Sequence, residues 1–196
     1  MSKVTSILLS GVGGQGAVLI SKILTNGFVG AGYDVKQSEN HGMSQRGGCV
    51  TTQVRFGDKV YGPLFGKGQA DIMIALERME AVRCADMLKP DAVVIVNDYR
   101  QDSSLTASGL AEYPEGCVEA MQENFNTVVL NAEEIATSLG NIRCANVVLL
   151  GAACAACKEL NQSGIDWESV IAATVPPKHK ELNIQAFRAG MAAAAQ

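Results

Sequence analysis

The chain predicts an α/β domain of the Rossmann-like, three-layer kind, with a mostly parallel sheet, an inserted β-hairpin and a helical C-terminal third. Three observations carry this. The apolar run Val4 to Leu9 leads into Gly11-Val12-Gly13-Gly14-Gln15-Gly16, and an unbroken helical pattern follows from Ala17 to Val29. Short apolar segments then alternate with helical ones, the order of a parallel sheet crossed by helices. Between Gly47 and Phe56 the period becomes two, with Val50, Thr52, Val54 and Phe56 on one face and Thr51, Gln53 and Arg55 on the other, as in a half-buried strand.

In order, the pattern gives a strand over 4–10, a helix over 14–31 and a strand over 33–38, then the polar loop Glu39-Asn40-His41-Gly42-Met43-Ser44-Gln45-Arg46. The alternating strand ends at Gly57-Asp58, a two-residue hairpin signal that sets Lys59-Val60-Tyr61 up as its antiparallel partner. Ala70 to Leu76 reads as a buried strand, Glu77 to Leu88 as a helix, and Ala92 to Val96 as the next strand, with Lys89-Pro90-Asp91 as the break. Residues 97–115 read as loop with a short strand near Ala111 to Tyr113. Asn126 to Leu130 is a strand, and Asn131 with Glu134 has the spacing of a capping box for a helix to Leu139. A small-residue helix spans Ile142 to Leu160, another starts near Gly164 and ends at Pro176-Pro177, and in the last Ile184, Phe187 and Met191 share a face. Whether the small-residue helix is core or partner surface stays open.

At 196 residues and 47% hydrophobic content, one substantial core is expected and residues 1–196 are taken as a single domain. A net charge of −4 with no basic run speaks against nucleic acid. Met1-Ser2-Lys3 and the six-residue run after it lack the long apolar stretch and small-residue cleavage site of a secretory signal, and no apolar run reaches membrane-spanning length, so a cytoplasmic protein with no membrane partner is expected. The six cysteines, Cys49, Cys84, Cys117, Cys144, Cys154 and Cys157, then read as reduced thiols; Cys154 and Cys157 sit in an apolar run and read as core. No metal set is expected.

Glycines that turn a strand into a helix leave the helix N–H groups open to an anion. For a dinucleotide the second strand must also end in an acidic residue, and Glu39 stands in that place. Yet only eight residues separate that strand from Gly47, too few for a helical crossover. In the loop Arg46 is an anion contact by type, beside Gly47 and Gly48, while a solvated turn explains the same residues. His41 and His179 share no motif. No Ser/His/Asp set, H-E-x-x-H or P-loop occurs, and no catalytic residue is assigned. Glu77, Glu80 and Glu133-Glu134 read as solvated helix faces.

Taken together, Gly11 to Gly16, the stretch Ser38-Glu39-Asn40-His41-Gly42-Met43-Ser44-Gln45-Arg46-Gly47-Gly48, and Val60-Tyr61-Gly62-Pro63-Leu64 resemble the gamma-type domain of 2-oxoacid:ferredoxin oxidoreductases. Gly68 to Ile72, Leu88 to Asp91 and Val175-Pro176-Pro177-Lys178 to Phe187 extend the likeness over nearly the whole chain. The resemblance implies oxidative decarboxylation of a 2-oxoacid with coenzyme A, giving an acyl-CoA, carbon dioxide and reduced ferredoxin. The substrate implied is an aryl pyruvate such as indolepyruvate, with pyruvate, ketoisovalerate and 2-oxoglutarate as alternatives. Thiamine diphosphate and [4Fe-4S] clusters are implied on a large alpha partner, which also faces ferredoxin, so this chain is expected to be inactive alone.

On that resemblance, Gly11, Gly13, Gly14, Gln15, Gly16, Ser38, Glu39, Met43, Ser44, Gln45, Arg46, Gly47 and Gly48 are expected to form one polar rim that faces the partner and admits coenzyme A or the 2-oxoacid carboxylate. Two rivals remain: a stand-alone NAD-binding Rossmann protein, and a non-enzymatic nucleotide-sensing or scaffold module.

Overall fold

A computed structural model describes residues 4–41 and 48–195. The elements are β1 (Val4–Val12), α1 (Ala17–Gly30), β2 (Asp34–His41), β3 (Cys49–Gly57), β4 (Ala70–Ala75), α2 (Arg78–Arg83), β5 (Leu88–Asn97), α3 (Ser104–Ala107), α4 (Cys117–Asn124), β6 (Asn126–Leu130), α5 (Ala132–Ser138), α6 (Ala145–Ala156), α7 (Lys158–Asn161), α8 (Trp167–Thr174) and α9 (Lys180–Ala194). They build a six-stranded sheet in the order β2-β3-β1-β4-β5-β6. The β1–β4, β4–β5 and β5–β6 pairs are parallel, and β3 is antiparallel to both β1 and β2.

Alternation along the strands feeds two cores. Ile7, Leu9, Ile72 and Ile74 meet residues of α1, α5, α6, α8 and α9 on one face. Leu8, Met73, Val94 and Val96 meet Ala81, Cys84 and Met121 on the other. The three-layer α/β reading holds, with an antiparallel hairpin inserted in a mostly parallel sheet.

The hairpin itself lies elsewhere than expected. It is formed by β2 and β3, in register from Asp34 opposite Gly57 to His41 opposite Val50. Lys59-Val60-Tyr61 makes no strand, because side chains capture the backbone there. The Val60 N–H donates to Asp34 Oδ2 at 2.9 Å, Arg55 Nη1 donates to the carbonyls of Gly62 and Leu64, and Gln53 Oε1 accepts the Phe65 N–H.

Other boundaries move for local reasons. The helix expected over 77–88 stops at Arg83, and Leu88 already belongs to β5. Pro90 falls inside that strand, where the β4–β5 register shifts between Ala70 and Ile72, and such an irregularity tolerates a residue without an N–H. The segment Ala111 to Tyr113 is not a strand, and α3 and α4 flank it instead. Asn131 does cap α5, its side chain accepting the Glu134 N–H at 3.1 Å.

The helix expected over 142–160 divides into a 3₁₀ turn, α6 and α7, with extended Cys157 between the last two. The small residues of α6 are core. A methyl group on Gly151 would stand 2.0 Å from the Phe187 carbonyl oxygen of α9, and one on Gly190 would stand 1.9 Å from that of Val148. The buried side of α9 is therefore Asn183, Ala186, Phe187 and Gly190, while Ile184 and Met191 pack at its margins.

Candidate functional site

At the end of β1 the chain folds back on itself through one side chain. Gln15 Oε1 accepts the Val12 N–H at 2.8 Å, and the Gln15 N–H donates to the Val12 carbonyl at 3.2 Å. Gly14 at φ 103° and Gly16 at φ 88° occupy the left-handed region this turn needs. Gly16 precedes α1; its carbonyl accepts from the Leu19 and Ile20 N–H groups and from Asn146 Nδ2, the last at 3.2 Å. A Cβ there would lie 2.3 Å from Asn146 Nδ2, so both backbone angle and space select glycine. The N–H groups of Gly14, Gly16, Ala17 and Val18 have no acceptor among the described residues. Helix starts leave such donors open, at the positive end of the peptide dipoles.

This turn borders a cleft of about 510 Å³ at the C-terminal ends of the parallel strands. The helix after β1 packs on one sheet face and the helix after β4 on the other, so the cleft opens at the point where the winding reverses. Each strand end supplies a wall. Asn97, the last residue of β5, donates through Nδ2 to the Leu76 carbonyl and to Glu133 Oε1, both at 3.0 Å, and its Oδ1 accepts the Ala132 N–H. Asn97 thereby ties the ends of β4, β5 and α5 together.

Glu133 keeps its second oxygen, Oε2, buried and without a hydrogen bond, and burial pushes its carboxyl above the usual range. Arg143 lines the cleft from the turn before α6; it is exposed and has no ion-pair partner among the described residues. The set comprises amides, open N–H groups, one guanidinium and one carboxyl that resists ionisation. It suits an anionic ligand that also carries amide groups. Among the described residues no three His, Cys, Asp or Glu side chains gather to hold a metal ion.

A buried carboxylate holds this wall in place. Gln15 Nε2 donates to Gln101 Oε1 at 3.1 Å, and the Gln101 N–H donates to Glu77 Oε1 at 3.2 Å. The same oxygen takes the Tyr113 hydroxyl, and Glu77 Oε2 caps α2 by accepting the Glu80 N–H at 3.0 Å. Burial, with Glu77 next to it, raises the Tyr113 phenol above its ordinary range. Glu77 and Glu80 are buried, at 0% and 2% exposure, against the solvated faces expected of them. The Glu77 oxygens satisfy the Glu80 N–H at the start of α2 and the Gln101 N–H of the segment after β5, donors that would otherwise be left unpaired.

The sequence-predicted residues fall into three groups. Gly14, Gln15 and Gly16 line the cleft, and Gly11 lies behind them, where a Cβ would meet Gln15 Oε1 at 2.8 Å. Gly48 joins the turn directly, since its carbonyl accepts the Gly13 N–H at 3.0 Å. Ser38 and Glu39 sit on β2, and because β3 stands between β1 and β2 they are two strand spacings from β1, about 10 Å. Met43, Ser44, Gln45, Arg46 and Gly47 lie outside the described residues. Asn97, Gln101, Glu133, Arg143 and Asn146 were not foreseen. A lone Asn closing the apolar run Val93 to Val96, and another opening the apolar run of α6, were the available signals.

Residues 6–193 match the pyruvate ferredoxin/flavodoxin oxidoreductase family. Indolepyruvate oxidoreductase subunit IorB of Pyrococcus horikoshii is 38% identical, the match covering 96% of this chain and 95% of that one. Among solved structures, the gamma subunit of a keto/oxoacid ferredoxin oxidoreductase from Geobacter sulfurreducens is similar with a TM-score of 0.69 at 26% identity, over 97% of this chain and 98% of that one. The 2-oxoglutarate:ferredoxin oxidoreductase from Magnetococcus marinus, with 2-oxoglutarate, coenzyme A and succinyl-CoA bound, shares the fold with a TM-score of 0.75 at 20% identity, over 100% of this chain and 32% of that one.

Proposed function

Because the chain belongs to the pyruvate ferredoxin/flavodoxin oxidoreductase family, we propose that it is the smaller subunit of a thiamine diphosphate-dependent 2-oxoacid:ferredoxin oxidoreductase. Residues 1–196 work as one gamma-type domain, and a large alpha subunit holds the thiamine and the [4Fe-4S] clusters. The reaction is oxidative decarboxylation of an aryl pyruvate such as indolepyruvate to an acyl-CoA. The 38% identity to the Pyrococcus horikoshii subunit favours that substrate.

This subunit's share is to complete the entrance for coenzyme A or for the 2-oxoacid carboxylate. The observation that carries it is the cleft at the winding reversal, where the open N–H groups at the start of α1 meet Arg143, which has no ion-pair partner among the described residues, and the amides of Gln15, Asn97 and Asn146. Arg46 and the glycines beside it are proposed as further anion contacts on the rim. Coenzyme A offers phosphates for the guanidinium and backbone donors, and pantetheine amides for the side-chain amides. A dinucleotide reading finds no such support, since β3 parts Glu39 from the glycine turn.

The test uses the assembled enzyme. Arg143→Ala is expected to raise the KM for coenzyme A or for the 2-oxoacid about ten-fold, the loss of one charge-assisted hydrogen bond worth roughly 1.5 kcal/mol. Unchanged Michaelis constants for both substrates would contradict the reading.

A further inference from the structure

Among the described residues Glu133 is the one acidic side chain that lines the cleft, and the wall around it does little to offset a negative charge. One oxygen is held by Asn97, whose Nδ2 donates to Oε1 at 3.0 Å; the same amide is fixed by the Leu76 carbonyl and the Ala132 N–H. Asn97 is itself 1% exposed. The other oxygen, Oε2, is shut off from solvent and has no hydrogen-bond partner. A buried carboxyl oxygen without a donor disfavours the charged form. Because Oε1 already accepts from the Asn97 amide, the proton belongs on Oε2.

Neighbouring elements do not supply the missing charge. α5 packs on the 3₁₀ turn 142–144, on α6 and on α9. The turn carries Arg143, the other charged group lining the cleft, and Cys144; α6 has no charged residue, and burial raises both its Cys154 thiol and that of Cys144. α9 runs antiparallel to α6, with Phe187 beside Gly151 and Gly190 beside Val148. Its Lys180 and Glu181 therefore stand at the end away from the cleft, and its Arg188 is taken by Glu168. Past the end of β5, Asp98 pairs with Arg78, and on α5 itself Glu134 is exposed. Burial outweighs the two donors that favour ionisation, the Asn97 amide and the N–H of residue 133, and lifts the carboxyl above its ordinary range.

We propose that Glu133 is a proton-dependent specificity residue of the cleft: protonated, it leaves a neutral wall that admits an oxyanion, a phosphate or carboxylate group, and ionised, it turns that group away. The proposal rests on the reading of the cleft as the entrance for coenzyme A or the 2-oxoacid carboxylate. With Glu133 neutral, Arg143 and the open N–H groups at the start of α1 set the field that an anion meets. Once ionised, Glu133 opposes them from a wall where charge is poorly screened. Affinity is therefore highest at low pH and falls as pH rises through the raised titration range of Glu133.

In the assembled enzyme, the KM for coenzyme A and the KM for the 2-oxoacid are measured from about pH 5 to about pH 9 for the parent and for Glu133→Gln. The glutamine oxygen can accept the same Asn97 bond, and its amide has no proton to lose. Titration of the ligands' own groups is common to both enzymes and cancels in the ratio of their constants. The parent-to-variant ratio is expected to climb about ten-fold with pH for the ligand whose oxyanion enters here and to stay level for the other, which separates the two sources. Carbon-13 NMR of the full-length parent chain is expected to show the Glu133 carboxyl titrating above the ordinary carboxylate range. A level ratio for both ligands, in an enzyme whose Arg143→Ala variant does raise one of the constants, would overturn this proposal alone. Constants that Arg143→Ala leaves unchanged would overturn the entrance reading and this proposal with it. A Glu133 carboxyl that titrates in the ordinary range would overturn the proposal as well.

Discussion

Glycine does opposite work at the start and in the middle of α6. Near its start, Gly16 leaves room: the backbone takes a left-handed turn beneath the Asn146 amide, and the N–H groups around it stay open toward a cleft. In its middle, Gly151 removes room: the α9 backbone passes so close that a single methyl would overlap the Phe187 carbonyl, and Gly190 mirrors it from the other helix. The first region stores binding capacity in unfilled donors, and the second stores stability in contact. A substitution at the second therefore attacks the fold, whereas one at the first attacks the site.

The largest effect is expected at the helix crossing. Gly151→Ala faces rigid backbone at 2.0 Å, with nothing flexible to yield. Overpacking of this kind costs about 3 kcal/mol or more. For a chain of this length each kcal/mol lowers Tm by roughly 2–4 °C, so calorimetry is expected to show a drop of about 10 °C. A Tm within a degree of the parent would show that the two helices part easily and that the contrast is false.

Next comes the brace beneath the cleft. Asn97→Ala removes bonds to Leu76, Glu133 and Ala132 together and leaves the buried Ala132 N–H unpaired. The expected loss is about 2–3 kcal/mol in urea unfolding. Gly16→Ala is expected to cost less, about 1–2 kcal/mol for the left-handed backbone. Adding Asn146→Ala clears the clash at 2.3 Å, so the double variant is expected to be more stable than the two single effects sum to. Strict additivity would mean that Asn146 and Gly16 do not constrain each other.

The same contrast explains what the chain's residues revealed in advance. Apart from the strands expected at 59–61 and 111–113, the order of strands and helices was legible, as were the glycine turn and the Asn131 cap, because each rests on neighbours in sequence. The position of β3 between β1 and β2 was not, since strand order is decided by long-range pairing and no local residue encodes it. Pairing also moved Glu39 one strand away from where a parallel succession would set it. The cleft's best-placed groups, Asn97, Asn146 and Arg143, come from separate parts of the chain and meet only through the sheet. Glu77 was misjudged for a related reason: a carboxylate beside a helix looks solvated until the donors it satisfies, here from residues 80, 101 and 113, are known. In α6, composition announced close packing but not its partner, which lies about forty residues on in α9.

The measurement that bears most directly on the account compares the purified chain with the same chain recombined with a thiamine- and cluster-bearing alpha subunit, following ferredoxin reduction by indolepyruvate and coenzyme A. No turnover by the chain alone and turnover on recombination is the predicted result. Reduction of ferredoxin by the isolated chain, or saturable binding of NADH by it, would contradict the account.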